Sequence, residues 1–211
     1  GTKMSSIISG LSATQVAALS TSQIRALTTE DFTAMTTGQI AALTTGQVQA
    51  IETADLVVLN ASQISAFTPY QVTNGLTTLQ IQGFGTAQIK GLTSAQLGAF
   101  GSDQIAAMET NDLAALSVTQ LKGLGTSQIA ALTTDQAGAL TANQIKNLTS
   151  DQIGALETAD LARLGTGQLA ALSATQISSL STAQVAALST DQIQGLGAKQ
   201  IAALTSEQVN L

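Results

Sequence analysis

The chain contains no cysteine, no histidine and no tryptophan. Without cysteine there are no disulfides and no thiol chemistry, and without histidine the commonest general base and the usual zinc ligand are missing. Aromatic residues make up only 2% of the chain, so a core must be built from aliphatic side chains without large anchors. Charged residues amount to 9%, with a net charge of −6, which leaves no basic footprint for nucleic acid or an anionic membrane surface. No uninterrupted apolar run is long enough to span a bilayer. No serine has a base to activate it, the lysines are scattered, and Gly-rich phosphate loops are missing. Together these absences argue against an enzyme and imply no cofactor.

What is present is a repeat. From Leu11 onward an octad recurs: Leu, Ser/Thr/Gly, Thr, variable, Gln, Ile/Val/Leu, variable, Ala/Gly, here lettered a to h. Position a falls on Leu11, Leu19, Leu27, Met35, Leu43, Ile51, Leu59 and Phe67. The segment 68–75 that follows is one residue too long, and the spacing resumes at Leu76 and runs to Leu204. Periodicity of this kind makes the chain one array in which each unit leans on its neighbours. The organisation expected is a partial repeat in 1–10, with Gly1-Thr2-Lys3 before Met4 reading as an expression remnant, then a single octad solenoid over 11–211 with its insertion near 68–76.

Within one octad, Ser or Thr at b followed three residues later by Gln at e is the capping-box pattern of a helix start, and the apolar a and f positions then form a hydrophobic staple. Pro69, the only proline, falls at c, the first helical position, which tolerates it. Acids gather at d (Glu30, Asp103, Asp135, Asp151, Asp191, Glu207) and bases at g (Arg25, Lys90, Lys122, Lys146), as the helix dipole favours. Gly85, Gly101, Gly125, Gly165 and Gly197 sit at b, expected to end one helix and cap the next. Asn74-Gly75 is expected to close the irregular unit in a left-handed conformation.

The sequence therefore predicts an all-α solenoid of short capped helices, one per octad. The alternative is a β-solenoid with Gln and Thr ladders, but a and f are separated by five and then three residues, which places them on opposite faces of a strand. A six-residue helix does not persist alone. Two large buried side chains contribute about 1.5–3 kcal/mol each, less than the roughly 1–2 kcal/mol per residue spent in ordering the backbone, so many units must stack.

Three octads depart together from the pattern. Glu52 and Asp55, Glu109 and Asp112, and Glu157 and Asp160 occupy b and e, and Asp31 also replaces the Gln. Paired carboxylates are candidate ligands for Ca²⁺ or another hard cation; the competing reading is an alternative cap at the helix N-terminus. The Gln row at e is explained by capping, against a reading as a ligand-binding ladder. The Ser/Thr rows at b and c offer a regular hydroxyl surface.

Phrases such as Leu43-Thr44-Thr45-Gly46-Gln47-Val48 and Leu188-Ser189-Thr190-Asp191-Gln192-Ile193 resemble the tandem Leu-Thr-Thr-x-Gln-Ile repeats of very large bacterial exported or cell-surface proteins. The resemblance implies a stalk, spacer, adhesin or self-assembling segment, extracellular or at the cell surface, exported by a signal outside these residues; a cytoplasmic location is the alternative. The expected partner is another copy, through end-to-end or lateral contacts, or a surface ligand; no nucleic acid and no membrane insertion are expected. The alternative role is a binding module that recognises protein, glycan or ice.

Overall fold

The computed structural model describes residues 6–210 and is helical throughout. A 3₁₀ turn at Ile7–Gly10 precedes a series of short α-helices from Ala13–Ala17 to Ser206–Val209, one per octad, each of four to seven residues. No strand occurs among the described residues, so the β-solenoid alternative is set aside.

Most helices start as the sequence predicts; those that follow Glu52 and Glu109 lack a side-chain cap. In Thr45–Ala50, Gln47 N donates to Thr44 Oγ1 at 3.2 Å and Thr44 N donates to Gln47 Oε1 at 2.9 Å. Two of the donors orphaned at a helix start are thereby satisfied. The staple residues Leu43 and Val48 are both buried. Where b is glycine only half the box forms: Gly101 N still donates to Gln104 Oε1 at 2.8 Å, but there is no hydroxyl to accept in return.

The helix ends differ from expectation. No described residue, glycine included, has a positive φ. Some helices close directly with a residue such as Leu43 in extended conformation (φ −58°, ψ 138°), its N–H donating to Ile40 O at 3.1 Å, and many others pass first through a right-handed residue such as Ala18 (φ −86°, ψ −8°). The reason is spacing: only two to four residues, the last of them b, separate one helix from the next, and the N-cap residue must itself be extended. A left-handed residue has no place in so short a link. Gly85, at φ −96°, is simply an N-cap.

The irregular octad is absorbed inside its helix. Pro69–Gly75 is the longest at seven residues, with Thr68 as cap and Pro69 in the first turn. Leu76 N closes it by donating five residues back to Gln71 O at 3.2 Å.

Helices stack three apart in sequence. Ala13–Ala17 packs on Thr37–Ala42 and Thr45–Ala50 on Pro69–Gly75; in the second half Thr134–Ala139 packs on Thr158–Arg163. The chain divides into two compact units, Gly1–Met108 and Glu109–Leu211, and this stacking holds within each. The a and f side chains make the core of each unit. Small residues at h allow close approach: a Cβ on Gly91 would lie 2.8 Å from Ala61 Cα.

Candidate functional site

Glutamine at e does more than cap. Its Oε1 is committed to the cap, and its Nε2 reaches back across the coil to two backbone carbonyls. Gln96 Nε2 donates to Ile64 O at 2.8 Å and to Phe67 O at 2.7 Å. In the second unit Gln192 Nε2 donates to Leu161 O at 2.9 Å and Leu164 O at 2.7 Å. The partners are an f carbonyl and the following a carbonyl, 31 and 28 residues earlier. Both would otherwise lie buried with an unfilled lone pair, the a carbonyl belonging to a residue between helices.

The bond therefore ties each coil to the one before, with three to four octads to the coil. It follows octads, not residues. Past the inserted residue, Gln80 reaches Val48 and Ile51, now 32 and 29 residues back, at 2.8 Å each. Gln15 and Gln23, at the start of the array, are exposed and make only the cap.

Sequence reasoning assigned the Gln row to capping alone and missed its second half. The signal was there: e holds Gln or Asp and never Glu, although a cap at the positive end of a helix dipole accepts Glu at least as well. Excluding Glu while admitting Gln marks a place where a donor is required.

The acidic octads interrupt the ladder. Glu52, Glu109 and Glu157 are exposed and none caps its helix through its side chain, whereas Asp55, Asp112 and Asp160 are buried at the Gln position. Each pair is thus split between surface and seam. Asp160 performs part of the capping half, its Oδ2 accepting from Glu157 N at 3.3 Å. Burial pushes its carboxyl up, and the nearby Glu157 charge adds to this against the Glu157 N–H bond. Burial and then the charge of Glu52 likewise push Asp55 up. Among the described residues no hydrogen bond reaches the Asp55 carboxylate, whose oxygens keep contact with solvent although the residue as a whole is buried.

Asp31 is different. Its Oδ1 accepts from Ser6 Oγ at 2.7 Å and Ile7 N at 3.0 Å, and its Oδ2 accepts from Thr28 N and Thr28 Oγ1, both at 2.9 Å. Burial pushes this carboxyl up, but the bonds from Thr28, Ser6 and Ile7 together outweigh it and hold it below the ordinary carboxylate range. Here the chain presents donors where other coils present carbonyls, and an acceptor fits.

Elsewhere the surface offers little chemistry. An apolar hollow of about 210 Å³ near the start of the array, lined by Ile8, Leu11, Leu19 and Leu27, holds no titratable group. No three acidic side chains converge among the described residues, and no helix among them is long and apolar enough to cross a membrane. Arg163 and Asp135 form an exposed ion pair at 3.5 Å.

The chain matches the family model of the ALTTAQ repeat over residues 8–45, 74–109, 105–142, 153–190 and 186–210. The match concerns repeats alone and brings no catalytic domain with it. Residues 46–73, which lie between two of the matched stretches, contain Glu52, Asp55 and the start of the irregular octad, yet fold into the same short helices, of which Thr53–Leu56 lacks the side-chain cap. No match was found among curated proteins.

Proposed function

From the premise that this chain belongs to the ALTTAQ repeat family, we propose that it is a non-enzymatic structural repeat module, a spacer or stalk segment whose reach is set by its number of octads. The observation that carries this reading is the recurring seam: within each unit, glutamine amides bond an a carbonyl and an f or g carbonyl of the coil before, octad after octad except at the acidic ones. Such a seam extends by adding octads, and stability accrues as nearest-neighbour contacts. Setting, by this reading, is the surface or secreted fraction of a bacterium. The partner is a further copy or a further stretch of repeats, since an array end offers unfilled carbonyls and apolar side chains.

Tandem duplication tests it. Small-angle scattering on the chain and on a two-fold tandem version should show the maximum dimension growing in proportion to octad number. Growth closer to the cube root, as for a globule, would overturn the spacer reading. Light scattering across concentration reads self-association in the same samples.

One observation favours a second reading as a binding module. Hydroxyls at b are used in capping, but those at c, such as Thr37, Thr126 and Thr166, are exposed and take no part in the cap. A saturable signal on a glycan array, or inhibition of ice recrystallisation, that disappears when the c-row threonines are replaced by alanine would establish it.

A further inference from the structure

The first and last described coils carry opposite, unused halves of the seam. Elsewhere a glutamine at e donates through Nε2 to two carbonyls of the coil before, as Gln200 does to Leu169 O and Leu172 O, both at 2.8 Å. In the first coil, Gln15 and Gln23 hold the same cap, their Oε1 accepting from Ser12 N and Ser20 N at 2.8 Å each. The cap orients the amide, so each Nε2 faces out of the coil with both hydrogens unused among the described residues. In the last coil no donor reaches Leu196 O or Leu204 O among the described residues, and Ile193 O and Ile201 O accept only within their own helix ends.

Spacing and apolar surface agree with this chemistry. The acceptor pairs, Ile193 with Leu196 and Ile201 with Leu204, recur after one octad, as do Gln15 and Gln23. On the donor face Leu11, Leu19 and Leu27 are only half-buried and line the hollow of about 210 Å³ beside Gln23. Leu92 and Leu164, at the same position of inner coils, are buried. On the acceptor face Leu204 is half-buried and Ile201 is 44% exposed.

We propose that the occupant of each face is the opposite face of a second copy of this chain. Gln15 of one copy donates to Ile193 O and Leu196 O of another, and Gln23 to Ile201 O and Leu204 O, so the seam within the chain continues across the boundary between copies. Leu11, Leu19 and Leu27 are covered by the last coil of the neighbour as inner coils cover one another. The contact is heterologous, because two like faces bring donors to donors or carbonyls to carbonyls. Each joined pair keeps one free donor face and one free acceptor face. This rests on the spacer reading and adds to it which faces meet and in which direction.

The test is sedimentation velocity across protein concentration, with circular dichroism melts to confirm that each variant is folded. The wild type should gain mass with concentration. Gln15→Glu with Gln23→Glu keeps the capping oxygen but sets carboxylates against the neighbour's carbonyls, and should weaken association by about tenfold or more. Ile201→Lys should do the same from the acceptor side. All three side chains are exposed, so the melts should match the wild type. The decisive sample is the mixture: one variant keeps only its acceptor face and the other only its donor face, so each alone stays monomeric and together they form a 1:1 dimer that grows no further. A wild type that remains monomeric up to about 1 mM, the weak end of specific affinities, overturns the proposal; it leaves the spacer reading standing if the maximum dimension still grows with octad number. Variants that associate as strongly as the wild type would move the contact to the sides of the array and overturn it. So would a mixture without a dimer in which either variant self-associates, since like faces would then pair.

Discussion

Coils closed by glutamine and coils interrupted by aspartate use the same short helix and the same stacking, and differ at the e position and, in three octads, at b as well. Around Gln96 the amide has both faces filled: Oε1 accepts from Thr93 N at 2.8 Å while Nε2 donates to two carbonyls. Around Asp55 neither function has a hydrogen-bond partner in the described chain, and the helix is one of the shortest, Thr53–Leu56. Capping is a demand that an isolated helix makes, and any acceptor meets it. The seam makes a second demand that only an amide meets. Asp31 teaches the converse, since an acceptor is well housed wherever the neighbouring coil offers N–H and O–H groups in place of carbonyls.

The largest effect should come from turning a glutamine coil into a worse version of an acidic one. Gln96→Glu keeps the capping oxygen, preserves volume and replaces the amide donor by a carboxylate oxygen facing Ile64 O and Phe67 O. A buried charge without a donor, with two carbonyls newly unsatisfied, should cost about 3 kcal/mol or more. Denaturant unfolding at neutral pH measures it, and a loss below about 1 kcal/mol would mean that the inter-coil bond is incidental to the cap.

Next comes Asp31→Asn, which places an NH₂ donor among groups that already donate. Ser6 and Thr28 hydroxyls can turn to accept, but Ile7 N and Thr28 N cannot. The expected loss is about 1–2 kcal/mol, read by the same denaturation. An unchanged midpoint would show that the Ile7–Gly10 turn is not held by this carboxylate. Thr93→Ala should cost less, about 1 kcal/mol, because it removes only the hydroxyl that accepts Gln96 N and leaves the inter-coil bond in place. The order Gln96→Glu, Asp31→Asn, Thr93→Ala is itself the test that the seam outweighs the cap.

Most of the fold was legible because the local rules agree with one another. Pro69 in the first turn, the Ser/Thr-x-x-Gln spacing and the apolar a and f positions each point to the same helix start, and the structure places them there. Helix ends were misread, because glycine at b follows a helix and so invites a left-handed reading; the short link, in which b must itself be an extended N-cap, rules that out. The inter-coil half of Gln was hidden for a different reason. Its partners lie about 30 residues away, and no local pattern marks a carbonyl as needing a donor. Only the exclusion of Glu at e carries that information. The acidic octads were recognised as departures, but the separation of each pair into an exposed Glu and a buried Asp depends on which side of the helix faces the previous coil.

The smallest effect, and the one that separates the two kinds of aspartate most cleanly, is on pH dependence. Asp55 and Asp160 are raised above the ordinary carboxylate value of 3.8. The folded chain holds these protons more tightly than the unfolded chain, so their contribution is fully present below 3.8 and lost as pH rises through the raised values. Asp31 is lowered, so its contribution is present above 3.8 and lost as pH falls through its depressed value. In chelator-treated protein, lowering the pH from 7 toward 4.5 should therefore raise the melting temperature slightly before further acidification lowers it. Replacing Asp55 and Asp160 by Gln should remove the rise and spare the fall, while Asp31→Asn should blunt the fall and spare the rise. If both substitutions altered the same limb of the profile, the two aspartate environments would be alike in solution, and the distinction drawn from their hydrogen bonds would fail.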